Sequence, residues 1–149
     1  MPTSTVTIRP INELDLDAVV RIVEKTRNVY EPDRWEQRVT YYLRRDPEGS
    51  LVAEADGEVV GFMLGDVRSG EFGLDEPCGW IEVLGVDPDA RGQGVGRVLA
   101  GAMLEGYRRR GVRRVRTMVD KSMPEVAAFF EALGFERDDL QPYVKRLNG

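Results

Sequence analysis

The chain has 149 residues, no histidine and a single cysteine, Cys78. Without histidine there can be no His-based metal site, Ser-His-Asp triad or Cys-His pair. One cysteine cannot build an internal disulfide framework, and it fits a reducing compartment. No apolar run approaches the roughly 20 residues of a membrane-spanning helix. The segment Met1 to Pro10 lacks the basic region and apolar run of a signal peptide, so a cytoplasmic protein is expected, with no membrane association. Cations are outnumbered: 21 Lys and Arg against 26 Asp and Glu give a formal net charge of −5. That balance argues against a general nucleic-acid binder and favours cationic substrates. There is no internal repeat, linker or low-complexity segment. With 42% apolar and 32% charged residues, the composition is that of an ordinary globular chain. A single domain over 1–149 is expected.

The hydrophobic pattern divides the chain into elements. Val6 and Ile8 alternate with polar residues and predict a short strand ending at Pro10. Asn12 or Asp15 can cap a helix carrying Leu16, Val19, Val20 and Val23. Trp35, Val39, Tyr42 and Leu43 mark a second helix that ends before Asp46-Pro47-Glu48-Gly49. The runs 51–55 and 59–64 flank Asp56-Gly57, a two-residue hairpin signal, since both residues tolerate positive φ. A polar loop from Ser69 to Pro77 precedes the apolar strand Trp80–Val86, which reads as central and buried on both faces. Val95, Val98, Leu99, Ala102, Met103 and Gly106 form a helical stripe that Gly111 stops. A strand over Arg114–Val119 follows. Pro124 then starts a helix with Val126, Phe129, Phe130 and Leu133, and Gly134 caps it. Residues 135–147 have room for one or two short strands around Gln141-Pro142. The strand–helix–strand passage after Trp80 predicts a right-handed crossover and parallel neighbours. The order β-α-α-β-β-β-α-β-α-β(-β) describes a mixed α/β sheet domain.

Everything is arranged about Val86-Asp87-Pro88-Asp89-Ala90-Arg91-Gly92-Gln93-Gly94-Val95-Gly96. A strand runs in, a helix runs out, and three glycines on alternate positions lie between. Glycines bring backbone N–H groups to the surface, and the helix start adds free N–H groups and the positive dipole end. Together these make a phosphate cradle. A dinucleotide fingerprint would need glycine where Arg97 stands, and a Walker loop would need Gly-Lys-Ser/Thr.

Arg91-Gly92-Gln93-Gly94-Val95-Gly96 resembles the Gln/Arg-x-x-Gly-x-Gly/Ala signature of the GCN5-related N-acetyltransferases (GNAT). Val86-Asp87-Pro88 and Phe129-Phe130-Glu131-Ala132-Leu133-Gly134-Phe135 sit where that family carries its V-x-P and F-Y-x-x-L-G-F patterns. The element order is similar over nearly the whole chain. The resemblance implies the GNAT acyltransferase fold with splayed parallel central strands, and acetyl-CoA as cosubstrate without a metal. The pyrophosphate would lie on the N–H groups of Arg91, Gly92, Gln93, Gly94, Val95 and Gly96. The pantetheine would run along Leu84 and Val86, with Phe130 beside the cofactor. The implied reaction is direct attack of a primary amine on the thioester, on a protein lysine or N-terminus or on a small cationic amine. A homodimer is implied as well, since many relatives are dimers. Another acyl-CoA as donor and a non-catalytic acetyl-CoA sensor are the alternative readings.

Glu82 is the lone charge between Cys78 and Asp87, and a buried carboxylate costs several kcal/mol unless paired. It reads either as the general base, directly or through water, or as a structural ion-pair partner of Arg114 or Arg116. Phe130 replaces the tyrosine that often serves the family as general acid. Tyr143 and Ser122 are then the candidate acids, or the thiolate leaves unaided. Met123 stands where relatives often carry a pantetheine-binding asparagine. Cys78 reads as a small semi-buried hydrophobe rather than as a nucleophile, which would lack a partner base. Trp35, Tyr41 and Tyr42 belong either to an acceptor-pocket wall or to the core. Glu71, Asp75 and Glu76 could attract a cationic amine or simply be solvated. The arginines at 108–110, 113, 114 and 116 read as a solvated helix end with ion pairs, or as a contact for the CoA 3′-phosphate.

Overall fold

The structure, a computed structural model, describes residues 6–148. These fall into two compact units, one ending at Met118 and one beginning at Val119. In the first unit, five strands lie in the order β1-β2-β3-β4-β5. They are β1 (Val6–Pro10), β2 (Leu51–Ala55), β3 (Glu58–Arg68), β4 (Cys78–Val86) and β5 (Arg114–Thr117). The first four pair antiparallel, whereas β4 and β5 are parallel. Asp56 and Gly57 turn the β2–β3 hairpin with φ of 53° and 79°, the two positive values a two-residue turn of this kind requires.

One sheet face is covered by α1 (Leu16–Arg27) and α2 (Pro32–Arg45). The Asn12 carboxamide accepts from the Leu14 N–H while Asp15 accepts from the Asn12 N–H, a reciprocal cap ahead of α1. Pro32 starts α2 at a position where a missing N–H costs nothing. Val19, Ile22, Trp35, Val39 and Tyr42 from these helices bury against Val52, Phe62, Leu64 and Val83 of the sheet.

The helix α3 (Val95–Arg109) packs through Val95, Leu99, Met103 and Tyr107. The stripe differs from the expected one: Val98 is exposed, and Tyr107 rather than Gly106 is buried at its C-terminal end. Its sheet partners are glycines. A Cβ on Gly61 would meet Val95 and Leu99, and one on Gly79 would meet the Tyr107 ring. The Tyr107 hydroxyl donates to the Trp80 carbonyl at 3.2 Å.

The second unit contains α4 (Pro124–Ala132). Phe130 is buried, with Phe129 and Phe135 edge-on to its ring at 5.2 and 5.1 Å. Gly134 takes φ 94° after the helix. The strands expected at 135–147 are not formed. Pro142 removes a ladder donor, and Tyr143, Val144 and Leu147 are all exposed, leaving no buried face to define a strand.

Candidate active site

The pairing of β4 with β5 stops at Ile81–Thr117. Beyond it, Val83–Val86 continue with β3 on one side only, so the other backbone edge, including Leu84 and Val86, has no strand partner among the described residues. Thr117 closes the last rung, its hydroxyl donating to the Ile81 carbonyl at 2.8 Å. This is the splay between central strands that the sequence resemblance implied.

At the point of divergence β4 carries a bulge. Leu64 pairs with Val83 and Gly65 with Ile81, so Glu82 has no opposite residue. A bulge breaks the in–out alternation and re-aims a side chain. Glu82 is accordingly not the buried carboxylate expected of a central strand: its side chain is 33% exposed. Nor does it pair with Arg114 or Arg116. Its Oε1 accepts from the Arg68 guanidinium, while Oε2 has no hydrogen-bond partner among the described residues. Arg68 also donates through Nε to Asp66 at 2.9 Å, and Arg45 donates to the other Asp66 oxygen at 2.8 Å. Asp66 is only 1% exposed, and two charge-assisted hydrogen bonds offset its desolvation. Burial, then the neighbouring Glu82 and Asp66 carboxylates, push the Tyr42 phenol up to about 12. Trp35 and Tyr42 belong to the core, whereas Tyr41 is half-exposed and lines an open groove on the outer face of α2.

The turn after β4 is fixed by Asp87. Its N–H donates to the Val60 carbonyl, and its carboxylate accepts from the Asp89 N–H and from Lys25 of α1. Burial alone would raise the Asp87 carboxyl, but the Asp89 N–H and Lys25 outweigh it and hold it below the usual range. Pro88–Ala90 form a 3-10 turn, Arg91 is extended, and Gly92 and Gly94 take φ of 85° and 75°. A Cβ at either glycine would meet no atom of the chain within 4 Å. Their surroundings are open to a ligand, and the glycines are required by φ. No side chain caps α3, and its first turn holds no acid. The start of α3 is thus uncapped, with Arg91 and Arg97 exposed nearby, a constellation suited to a pyrophosphate.

Elsewhere, Tyr143 is 94% exposed, the Ser122 hydroxyl donates to Asp120 at 2.9 Å, and Met123 precedes α4. Cys78 is buried rather than semi-buried, and it receives a hydrogen bond from Arg116 at 3.3 Å. Arg68, Asp66 and Asp87 escaped sequence reasoning. The lone Glu82 in an apolar run was a visible sign, but its partner lies on another strand and across a bulge.

The sequence model of the Acetyltransferase (GNAT) family matches residues 16–135. The chain belongs to the GNAT acetyltransferase family. Among curated relatives, an acetyltransferase of Pectobacterium atrosepticum is 31% identical over 140 residues, covering 94% of each chain. A mycothiol acetyltransferase of Thermobispora bispora is 41% identical over 92 residues, 62% of this GNAT chain and 31% of that protein. The chain thus spans about a third of the length of the mycothiol acetyltransferases it matches. Among solved structures, the aminoglycoside N-acetyltransferase AAC(6')-Iy in complex with CoA shares the GNAT fold at a TM-score of 0.80 and 24% identity, over 98% of both chains. Ard1 from Thermoplasma volcanium aligns at a TM-score of 0.75 with 28% identity, over 88% of this chain and 82% of that one.

Proposed function

We propose that this GNAT chain is an acetyl-CoA-dependent N-acetyltransferase that acetylates a primary amine by direct attack, without an acyl-enzyme. The observation that carries the reading is the junction at Glu82: the unpaired edge of β4 begins there and leads into the uncapped, glycine-built start of α3. In this reading the N–H groups of Arg91 to Gly96 hold the pyrophosphate, and the free edge at Leu84 and Val86 holds the pantetheine amides. Acetyl-CoA, as second substrate, supplies an activated thioester. Glu82, with Oε1 held by Arg68, accepts the ammonium proton at Oε2, directly or through one water. Phe130 has no proton to give, so the thiolate departs unaided, as its modest basicity permits. Tyr143 and Ser122 are the hydroxyls available for a protonated departure.

A solved neighbour in complex with a CoA–acetylneamine bisubstrate analogue, at 25% identity, supports acetyl-CoA as donor and a small cationic amine as acceptor. The match over 16–135 crosses the boundary at Met118 and supports one GNAT domain. The lone free thiol of Cys78 fits a cytoplasmic enzyme; no helix of the described residues is long and apolar enough to cross a membrane. The homodimer common in the family belongs to the same reading. Phe130 favours one rival, an acetyl-CoA sensor. A thiol-release assay with acetyl-CoA and a panel of amines separates the two. Amine-dependent release of CoA above hydrolysis supports the transferase. An acetyl-CoA-dependent rise in melting temperature with no release from any amine or peptide supports the sensor.

A further inference from the structure

The loop between β3 and β4 is built to present one side chain. Gly70 and Gly73 take φ of 78° and 73°, and Phe72 between them takes φ 54°, ψ 30°. Glycine adopts this left-handed conformation freely, whereas a side chain with a Cβ is strained there. Burial does not offset that strain, because Phe72 is 67% exposed. The conformation instead fixes where the ring stands. Its centroid lies 5.9 Å from that of Trp80. The Trp80 ring in turn carries the Arg68 guanidinium at 5.3 Å, and Arg68 holds Glu82. Phe72 is therefore the solvent-facing end of a continuous run of contacts, Phe72–Trp80–Arg68–Glu82. Strained backbone of this kind gathers at functional sites. In the same loop Asp75 and Glu76 line a cavity with Arg114 and Arg116, which counter their charge, whereas Glu71, next to Phe72, has no ion-pair partner among the described residues and is the acid placed to draw a cation toward this ring.

We propose that Phe72 is a specificity-determining contact for the acceptor: its ring lies against an apolar face of the amine-bearing molecule. The acceptor class is then a small primary amine carried on a ring or hydrocarbon face, not a small hydrophilic amine. The proposal rests on the reading of Glu82 as the base, and it adds the residue that selects which amine arrives there. An apolar face stacked on an exposed ring excludes water from both surfaces, while Glu71 favours the ammonium.

The test uses the full chain with CoA present and reads amine binding by tryptophan fluorescence, so no turnover is needed. The probes are 2-phenylethylamine and ethanolamine. Phe72→Gly removes the ring and the strain together, a thermal melt checks that it folds without the Trp80 contact, and Phe72→Tyr keeps the ring. The parent and Phe72→Tyr should bind 2-phenylethylamine more tightly than ethanolamine. Phe72→Gly should weaken 2-phenylethylamine by about three- to tenfold, the scale of one aromatic contact. Ethanolamine binding and the thermal shift with acetyl-CoA should not move. Equal affinity of Phe72→Gly and parent for 2-phenylethylamine overturns the proposal, as does a parent that prefers ethanolamine. Phe72-dependent binding without thiol release counts against the transferase reading alone.

Discussion

Arg68 bridges two carboxylates of opposite character, the buried Asp66 and the half-exposed Glu82. One face of its guanidinium is committed to structure and one nitrogen to the candidate base. Removing it frees Glu82 and leaves Asp66 with Arg45 alone. Arg68→Ala should lower kcat about ten- to a hundredfold, the cost of a misplaced group, with the KM for acetyl-CoA unchanged. It should also lower the melting temperature. Arg68→Lys should regain part of the loss, since an ammonium keeps the charge but cannot match the planar fork. A drop in melting temperature with kcat intact would make Arg68 purely structural.

The cradle makes a separate demand on backbone conformation. Gly94 sits at φ 75° with open space where a Cβ would go, so Gly94→Ala meets only the left-handed penalty of about 1–2 kcal/mol. Chemical denaturation should report that loss. If the turn holds the pyrophosphate as proposed, calorimetric titration with CoA should show weakening beyond it. CoA affinity that does not change would remove Gly94 from the binding surface.

Gly65 tests the packing of α3 instead. A Cβ there would lie 2.4 Å from the Trp80 carbonyl oxygen and 2.8 Å from both Met103 and the Tyr107 hydroxyl. The oxygen is backbone and cannot swing away, so Gly65→Ala should destabilise the fold by about 1–3 kcal/mol. Denaturant midpoints of variant and parent check this.

Acid should act through Asp15. Its burial favours the neutral form, but hydrogen bonds from the Arg9 guanidinium and the Asn12 N–H prevail and hold its carboxyl below the usual range. A pKa lowered in the folded chain means that the unfolded chain binds the proton first. The contribution is therefore full above the ordinary carboxylate pKa of about 4 and is lost as pH falls through the lowered folded value. Urea midpoints measured downward from neutral pH should fall more steeply in the parent than in Asp15→Asn.

Much of this arrangement is legible in the chain. Alternation marks β1, turn chemistry marks the Asp56-Gly57 hairpin, an apolar run marks β4, and the glycine run with its flanking patterns identifies the family. What stays hidden is non-local. Glu82 looks buried because it interrupts an apolar run that reads as buried on both faces, and only the register against β3 reveals the bulge that turns it outward. Arg68 lies at the end of β3, where nothing in its neighbours announces a partner fourteen residues away. The stripe on α3 is misread at Val98, which is exposed, and at Gly106, because only the glycines across the sheet reveal that the Tyr107 ring is accommodated there. The tail after Gly134 has apolar residues without a face to bury, so composition alone overstates its strands.

In the proposed reaction Glu82 takes the proton from the attacking amine. Glu82→Gln keeps the shape and the bond from Arg68 but is not a base. Its rate of CoA thiol release with a saturating amine, measured beside its Kd for acetyl-CoA, is the most direct test. The account predicts a loss of about 10²- to 10⁴-fold in turnover with the Kd unchanged. Turnover equal to that of the parent, or a loss matched by an equal loss in acetyl-CoA binding, would contradict it.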